Sequence, residues 1–375
     1  MTLPSDALIW AAFFVALFVT LGAVPLCAQL LATLAHRPAD DRTLETAGLG
    51  LFVGVAISSF YLGVWPAGAK GLALSALFVL IAGTAIDVLE RHGRLVRIDL
   101  PVKIALSAVA ICGVWIDLNH WPAWPLGMAL LIAAGIMMLV SMSRIGHDYE
   151  DAHPGLTIYL TITQMLGLLL LGWIGSENGV MSALTFSIII GIAVPIGGAL
   201  LAAAFYMIRA PWRPRPMVFA GTGGHMMLAV GCVWMALLLA LSSADGARSP
   251  AALVWVVGVP LFYFVRQRLA LLVSGLIARR ADGAPMPVLA WLDRELAFHM
   301  SPWLLPLTSL GMAVVGALVL YYDVRQLVSW PTWLVAMAGF ILLPAALRHT
   351  PLARSGVIYE VKPKLQVDTS SSALP

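Results

Sequence analysis

The sequence predicts an all-α, polytopic integral membrane protein of about eleven transmembrane helices, with its N-terminus outside and its C-terminus cytoplasmic. Three observations lead there. Of 375 residues, 61% are hydrophobic and 11% charged, against about 25% charged in a soluble chain, and mean hydropathy is +0.92. The apolar residues fall in blocks long enough to cross a hydrocarbon core of about 30 Å as helices. The alternating segments of about 10 residues that build a transmembrane barrel are absent. The basic residues, finally, collect on one side of the blocks.

Taken in order, the spans fall at 7–34, 46–65, 70–89, 101–116, 124–143, 155–174, 182–208, 217–242, 250–273, 302–322 and 331–347. No basic residue precedes the first block, which is too long for a signal-peptide core and reads as a retained span. Short connectors carry turn chemistry, as in Trp121-Pro122-Ala123-Trp124-Pro125 and Gly175-Ser176-Glu177-Asn178-Gly179. The reading gives one transmembrane domain, 1–349, with cytoplasmic loops at 35–45, 90–100, 144–154, 209–216 and 274–301. A cytoplasmic tail, 350–375, follows, and its Ser-rich end from Asp368 to Pro375 is expected to be disordered. Cys27, Cys112 and Cys232 lie inside apolar blocks and read as small buried hydrophobes. Trp115, Trp121, Trp124, Trp303, Trp330 and Trp333 fall near span ends, where indole suits the headgroup level.

With these spans, 19 of the 22 basic residues fall on one side and only Lys70, Arg248 and Arg325 on the other. The positive-inside rule makes the crowded side cytoplasmic. A misplaced span would flip every later loop, so the asymmetry also supports the spans. The net charge of +3 reflects this topology and gives no reason to expect a nucleic-acid partner.

Ionisable groups at a membrane boundary are costly, so clusters of them mark candidate chemistry. Four occur on the cytoplasmic side. Asp87 ends the apolar run of the third span in Gly83-Thr84-Ala85-Ile86-Asp87; the plain alternative is an acid at a helix end. Asp148 and Asp151 lie three apart in the loop after the fifth span, so one helical turn would face them the same way. Such a pair can share Mg²⁺ or position a general base; a solvated loop is the competing explanation. Third, a basic, proline-stiffened loop with Arg213 and Arg215 leads into Phe219-Ala220-Gly221-Thr222-Gly223-Gly224-His225. Glycines there let a ligand approach the backbone, and a helix start attracts phosphate, although small residues also serve close helix packing. Fourth, Asp293, Arg294 and His299 precede the tenth span in a segment that also reads as an amphipathic interfacial helix.

In order, spacing and sidedness these places resemble the landmarks of the polyprenyl-phosphate N-acetylhexosamine-1-phosphate transferases, from about residue 7 to 345. The aspartate pair of that family falls on Ile86-Asp87, with Lys103 where a basic residue often follows. Its N-x-x-N-x-x-D-G-x-D-G loop falls on Met142 to Ala152, and its F-M-G-D-x-G-S segment on Phe219 to His225. Its late D-R-x-H-x-H-H motif falls on Asp293 to His299, and its D-x-P-x-x-R stretch is similar to Arg37 to Arg42. The resemblance implies a multi-pass protein of the bacterial cytoplasmic (inner) membrane that takes polyprenyl phosphate and a UDP-sugar. It implies Mg²⁺-dependent transfer of the sugar phosphate in envelope glycan assembly, and a homodimer or glycan-assembly partners. Asp87, Asp148, Asp151 and His299 would be catalytic, with Asp148 and Asp151 as metal ligands. Arg42, Lys103, Arg213, Arg215, Gly221, Thr222, Gly223, Asp293 and Arg294 would contact substrate.

The departures are equally specific. Ile86 replaces the first aspartate of the pair, Met142 and Ile145 the two asparagines, and Leu296 and Phe298 two late histidines. Thr222 stands where the family has a metal-binding aspartate. Opposite charges at 4 Å interact by about 4 kcal/mol at an effective dielectric near 20, so a neutral hydroxyl there weakens a cation site. Two expectations follow: a divergent transferase, or a catalytically inactive relative that binds lipid phosphate or nucleotide sugar, or scaffolds a glycan-assembly complex. An unrelated transporter would place ionisable residues at mid-bilayer, often in repeated halves; no repeat is visible.

Overall fold

The computed structural model describes residues 6–34, 47–61, 63, 69–91, 99–118, 125–149, 153–208, 216–242, 249–279, 287–296, 298–324, 326–355 and 358–360. Its helices are α1 (Asp6–Leu34), α2 (Ala47–Tyr61), α3 (Lys70–Arg91), α4 (Asp99–Leu118), α5 (Pro125–Tyr149), α6 (Leu156–Glu177) and α7 (Ala183–Met207). They continue with α8 (Gly221–Ser242), α9 (Ser249–Arg279), α10 (Pro287–Leu296), α11 (Leu304–Tyr321), α12 (Gln326–Ala346) and α13 (Pro351–Arg354). Two short strands, β1 (Phe298–Met300) and β2 (Ile358–Glu360), pair antiparallel. Local chemistry fits these limits. Pro125 and Pro287 open α5 and α10, where a missing N–H costs nothing. The Ser182 hydroxyl accepts the Thr185 N–H as the cap of α7, and Gly179, at φ +65°, turns the chain after α6.

Among the described residues, eight helices are long and apolar enough to cross a membrane, and α2, α4 and α5 contain shorter apolar stretches. The chain is therefore a polytopic membrane protein, and every expected span coincides with a helix. Some limits differ. The helix of the span expected at 250–273 continues six residues further, to Arg279, taking in the start of the loop expected at 274–301, and Arg266 and Arg268 lie within it. The beginning of the tail is structured: α13 and β2 lie within 350–360, with His299 opposite Tyr359 and Met300 opposite Ile358. Residues 361–375 lie outside the described set.

The centre of the bundle is α8. It touches α2 to α7 and α9 and is mostly enclosed, whereas α1 and α12 keep most of their surface outward. Phe14 and Phe18 of α1 and Phe205 of α7 are among the outward-facing apolar side chains, as lipid contact requires. Close approaches fix helix directions. Gly50 abuts Val24 and Gly54 abuts Thr20, and the Ser58 hydroxyl donates to the Ala12 carbonyl at 2.6 Å, so α1 and α2 run antiparallel. Gly146 against His225 and Gly135 against Val233 make α5 and α8 antiparallel.

Two tryptophans expected at the membrane surface are instead packed inside. Trp115 is buried, and Trp333 is buried against Trp255 and Met337 because indole supplies the largest apolar volume available to fill the gap between α9 and α12. Trp303 and Trp330 are exposed; Trp121 and Trp124 lie outside the described residues. Of the cysteines, only Cys232 is fully buried, Cys27 being half-buried and Cys112 exposed. A cysteine on an outward helix face meets lipid, not water, so an apolar block does not imply enclosure by protein.

Candidate functional site

The apolar run of α3 carries Asp87 to the point where the helix meets the start of α8. Asp87 is buried, and its Oδ2 accepts the Thr222 backbone N–H at 2.9 Å. That amide is one of the donors a helix start leaves without an intrahelical partner. The carboxylate also faces the positive end of the α8 dipole. Gly221, at φ +70°, supplies the left-handed residue that turns the chain into this first turn. The Ala47 N–H donates to the Phe219 carbonyl at 3.0 Å, which ties the start of α2 to the segment leading into α8. Asp87 is thus the cap of α8, delivered from another helix.

The neighbouring glycines are filled by protein. A Cβ on Gly223 would lie 2.5 Å from the Leu80 carbonyl oxygen, and one on Gly83 would overlap the Gly223 backbone. Gly48 meets Gly224 in the same way, at 2.6 Å from its Cα. Of the two uses weighed for these glycines, close helix packing is the one their surroundings display. The buried His225 ring lies against the Gly146 backbone, bringing the last turns of α5 to the same end of α8. Asp148 belongs by its backbone to the final turn of α5; its side chain is outside the described residues, as are Asp151, Arg42, Arg213 and Arg215. Lys103 is buried in α4. The antiparallel contact of Ser75 with Gly113 puts Lys103, ten residues along α4, level with Ala85, ten residues along α3. It therefore sits within a helical turn of the level of Asp87.

Asp293 and Arg294 form a second group on α10, which packs on α9 and α12. The Ser274 hydroxyl of α9 donates to Asp293 Oδ1 at 2.7 Å. Arg294 is exposed and reaches Glu295 Oε1 at 3.2 Å, while Arg348, just beyond α12, reaches the same oxygen at 3.0 Å. His299 lies in β1 with its backbone paired to Tyr359. The structure thus brings together Asp87, Gly221, Thr222 and Gly223, with the backbone of α5 near Asp148, and it holds Asp293 and Arg294 in a separate cluster.

No group of three His, Cys, Asp or Glu side chains that could hold a metal occurs among the described residues. Mg²⁺ asks for octahedral oxygen ligands including one or two carboxylates. Around Thr222 the described donors are one carboxylate committed to a backbone amide and a buried, neutral hydroxyl that makes no hydrogen bond among the described residues. By themselves they do not fit that ion.

Three polar groups were not singled out by the sequence. Arg266 is almost wholly buried on α9, and Arg268 lies over the Phe264 ring at 5.0 Å. The Glu295–Arg348 pair joins α10 to the chain after α12. The span expected at 250–273 already enclosed both arginines, with the apolar run from Leu269 to Val273 beyond them, but nothing in it marked Arg266 as buried. Nothing local in sequence marks a pair 53 residues apart. No protein-family model matches the chain, and no curated protein matches it.

Proposed function

We propose that this chain crosses the bacterial inner membrane eleven times, N-terminus outside and C-terminus cytoplasmic. In this reading it is a catalytically silent relative of the polyprenyl-phosphate N-acetylhexosamine-1-phosphate transferases, one that binds polyprenyl phosphate or a UDP-sugar on its cytoplasmic face. The observation that carries this reading is the hydrogen bond from the Thr222 amide to Asp87 Oδ2. A carboxylate capping α8 competes for the position that a phosphate would take at the same helix start. Gly83 and Gly48, packed on Gly223 and Gly224, leave these glycines no open backbone for a ligand to approach. The surviving acids, basic residues and their order support retention of the binding face.

A second reading, an active transferase, draws on one specific placement. Asp148 lies two residues beyond Gly146, whose backbone meets His225 in the first turn of α8. An acid carried there would approach the Asp87–Thr222 pair from α5.

The test uses purified full-length protein in vesicles with undecaprenyl phosphate, radiolabelled UDP-N-acetylhexosamines, and Mg²⁺ or Mn²⁺. The proposal expects no lipid-linked product, together with saturable binding of the lipid phosphate or the nucleotide sugar. Product that disappears in Asp148→Asn would establish the second reading. Neither product nor binding would remove both.

A further inference from the structure

Toward the opposite end of α3 from Asp87, about 16–25 Å along the helix at 1.5 Å per residue, lies a cavity of about 630 Å³ between α2, α3, α7 and α8. It exists because α2 packs on α1 and α7 while α3 packs on α4 and α8, leaving α2 and α3 with little mutual contact. Its walls include Leu51, Val55, Ala73, Ile196 and Met227, and among the described residues the one charged side chain lining it is Lys70. Phe60 and Leu74 line it too and are largely exposed, so the space opens sideways between α2 and α3 toward the surroundings of the bundle.

We propose that this cavity is a binding site for an anionic glycerophospholipid of the bilayer, with one acyl chain inside and the phosphate at Lys70. The volume lies within the range of small-molecule sites. Water is a poor occupant, because apolar cavities of this kind stay dry without polar partners. An empty space would forfeit the dispersion contacts of every wall residue. Acyl chains are the most abundant apolar species around a membrane-embedded bundle, and the lateral opening admits them without crossing a polar barrier. Entry from lipid gains little from the hydrophobic effect, since the tails are already in hydrocarbon. Selectivity therefore rests on the ammonium of Lys70, which favours a phosphate of net negative charge over a zwitterionic headgroup.

The full-length protein would be placed in nanodiscs of mixed phosphatidylglycerol and phosphatidylcholine, with either lipid carrying a photoactivatable group on its acyl chain. Labelled residues would then be mapped by mass spectrometry. Expected are enrichment on 51–60, 70–76, 192–196 and 227–231 over the outward face of α1, and an about fivefold preference for the anionic lipid. That preference corresponds to about 1 kcal/mol, the scale of an exposed ion pair. Lys70→Gln removes the preference, and Ala73→Trp or, from the facing helix, Ala56→Phe removes the enrichment while labelling of α1 persists. Persistent α1 labelling also shows that the variants are folded. Uniform labelling of all outward helix faces would overturn the proposal, as would an unchanged lipid preference in Lys70→Gln. Displacement by undecaprenyl phosphate but not by excess phosphatidylglycerol would assign the cavity to the polyprenyl carrier and overturn it equally.

Discussion

A carboxylate at the end of an apolar helix is stable only where hydrogen bonds offset its desolvation, and for Asp87 that offset includes the first turn of α8. Hydrogen bonds to a charged group contribute about 1.5–3 kcal/mol. Asp87→Ala is therefore expected to cost about 2 kcal/mol, and Asp87→Asn, which keeps an acceptor but loses the charge facing the dipole, about 1 kcal/mol. Thermal unfolding in detergent checks this order; equal midpoints for both variants and the parent would show that the cap contributes nothing. Thr222→Asp tests the metal question from the other direction. It sets a second carboxylate beside Asp87, so its midpoint is expected to fall without divalent cations through like-charge repulsion. Millimolar Mg²⁺ should restore the midpoint only if α5 and α8 still present octahedral oxygen geometry. The sequence placed Asp87, Gly221, Thr222 and Gly223 in one neighbourhood through the order of a resemblance. It could not show that the partner of Asp87 is the amide of Thr222, because a backbone donor is present at almost every residue and leaves no mark in composition.

Helix pairs in this bundle approach through glycine, and the approach has a direct consequence for substitution. A Cβ on Gly83 would overlap the Gly223 backbone, which cannot rotate away, so Gly83→Ala has to separate α3 from α8. Overpacking of this kind costs about 1–3 kcal/mol or more. Gly22 in α1 has nothing within 4 Å of the corresponding position, and Gly22→Ala is expected to be neutral or to stabilise by up to about 1 kcal/mol through helix propensity. Comparing folded yield and unfolding midpoints of the two variants separates packing from propensity; similar losses would contradict the close α3–α8 contact. The α10 hook gives a second contrast. Glu295 is nearly enclosed, and Arg348 is its less exposed partner, whereas Arg294 is mostly in the open. Arg348→Ala is expected to loosen α10, raising hydrogen exchange across Pro287–Leu296, while Arg294→Ala changes little. Helix positions were legible because hydrocarbon leaves long apolar helices as the economical solution for this chain. The burial of Arg266 within α9 and the pairing of β1 with β2 were not, because both depend on contacts between segments distant in sequence.

At the scale of the molecule, the decisive quantity is whether the number of crossings is odd or even. Among the described residues, eight helices meet a membrane-spanning length and hydropathy outright, and the apolar stretches Ala47–Phe60, Leu100–Trp115 and Ile132–Gly146 are shorter. If only the eight crossed, both termini would lie on the same side, and the loops would change sides at each omitted helix. The 19-to-3 division of basic residues would then dissolve. Eleven crossings preserve it and place the termini on opposite sides. The packing favours the larger number, since the antiparallel contacts of α2 with α1, of α4 with α3 and of α5 with α8 make each shorter helix a full member of the bundle. The prediction is that a green fluorescent protein fused after Pro375 fluoresces while alkaline phosphatase at the same place is inactive. A cysteine placed before Asp6, in a background without Cys27, Cys112 and Cys232, should react with a membrane-impermeant maleimide in intact cells. Both termini reporting from one side would reduce the crossings to an even number. The Thr222 amide on Asp87 and His225 on Gly146 hold the end of α3, the end of α5 and the start of α8 together, so the missing crossing would then have to lie outside the stretch from α3 to α8.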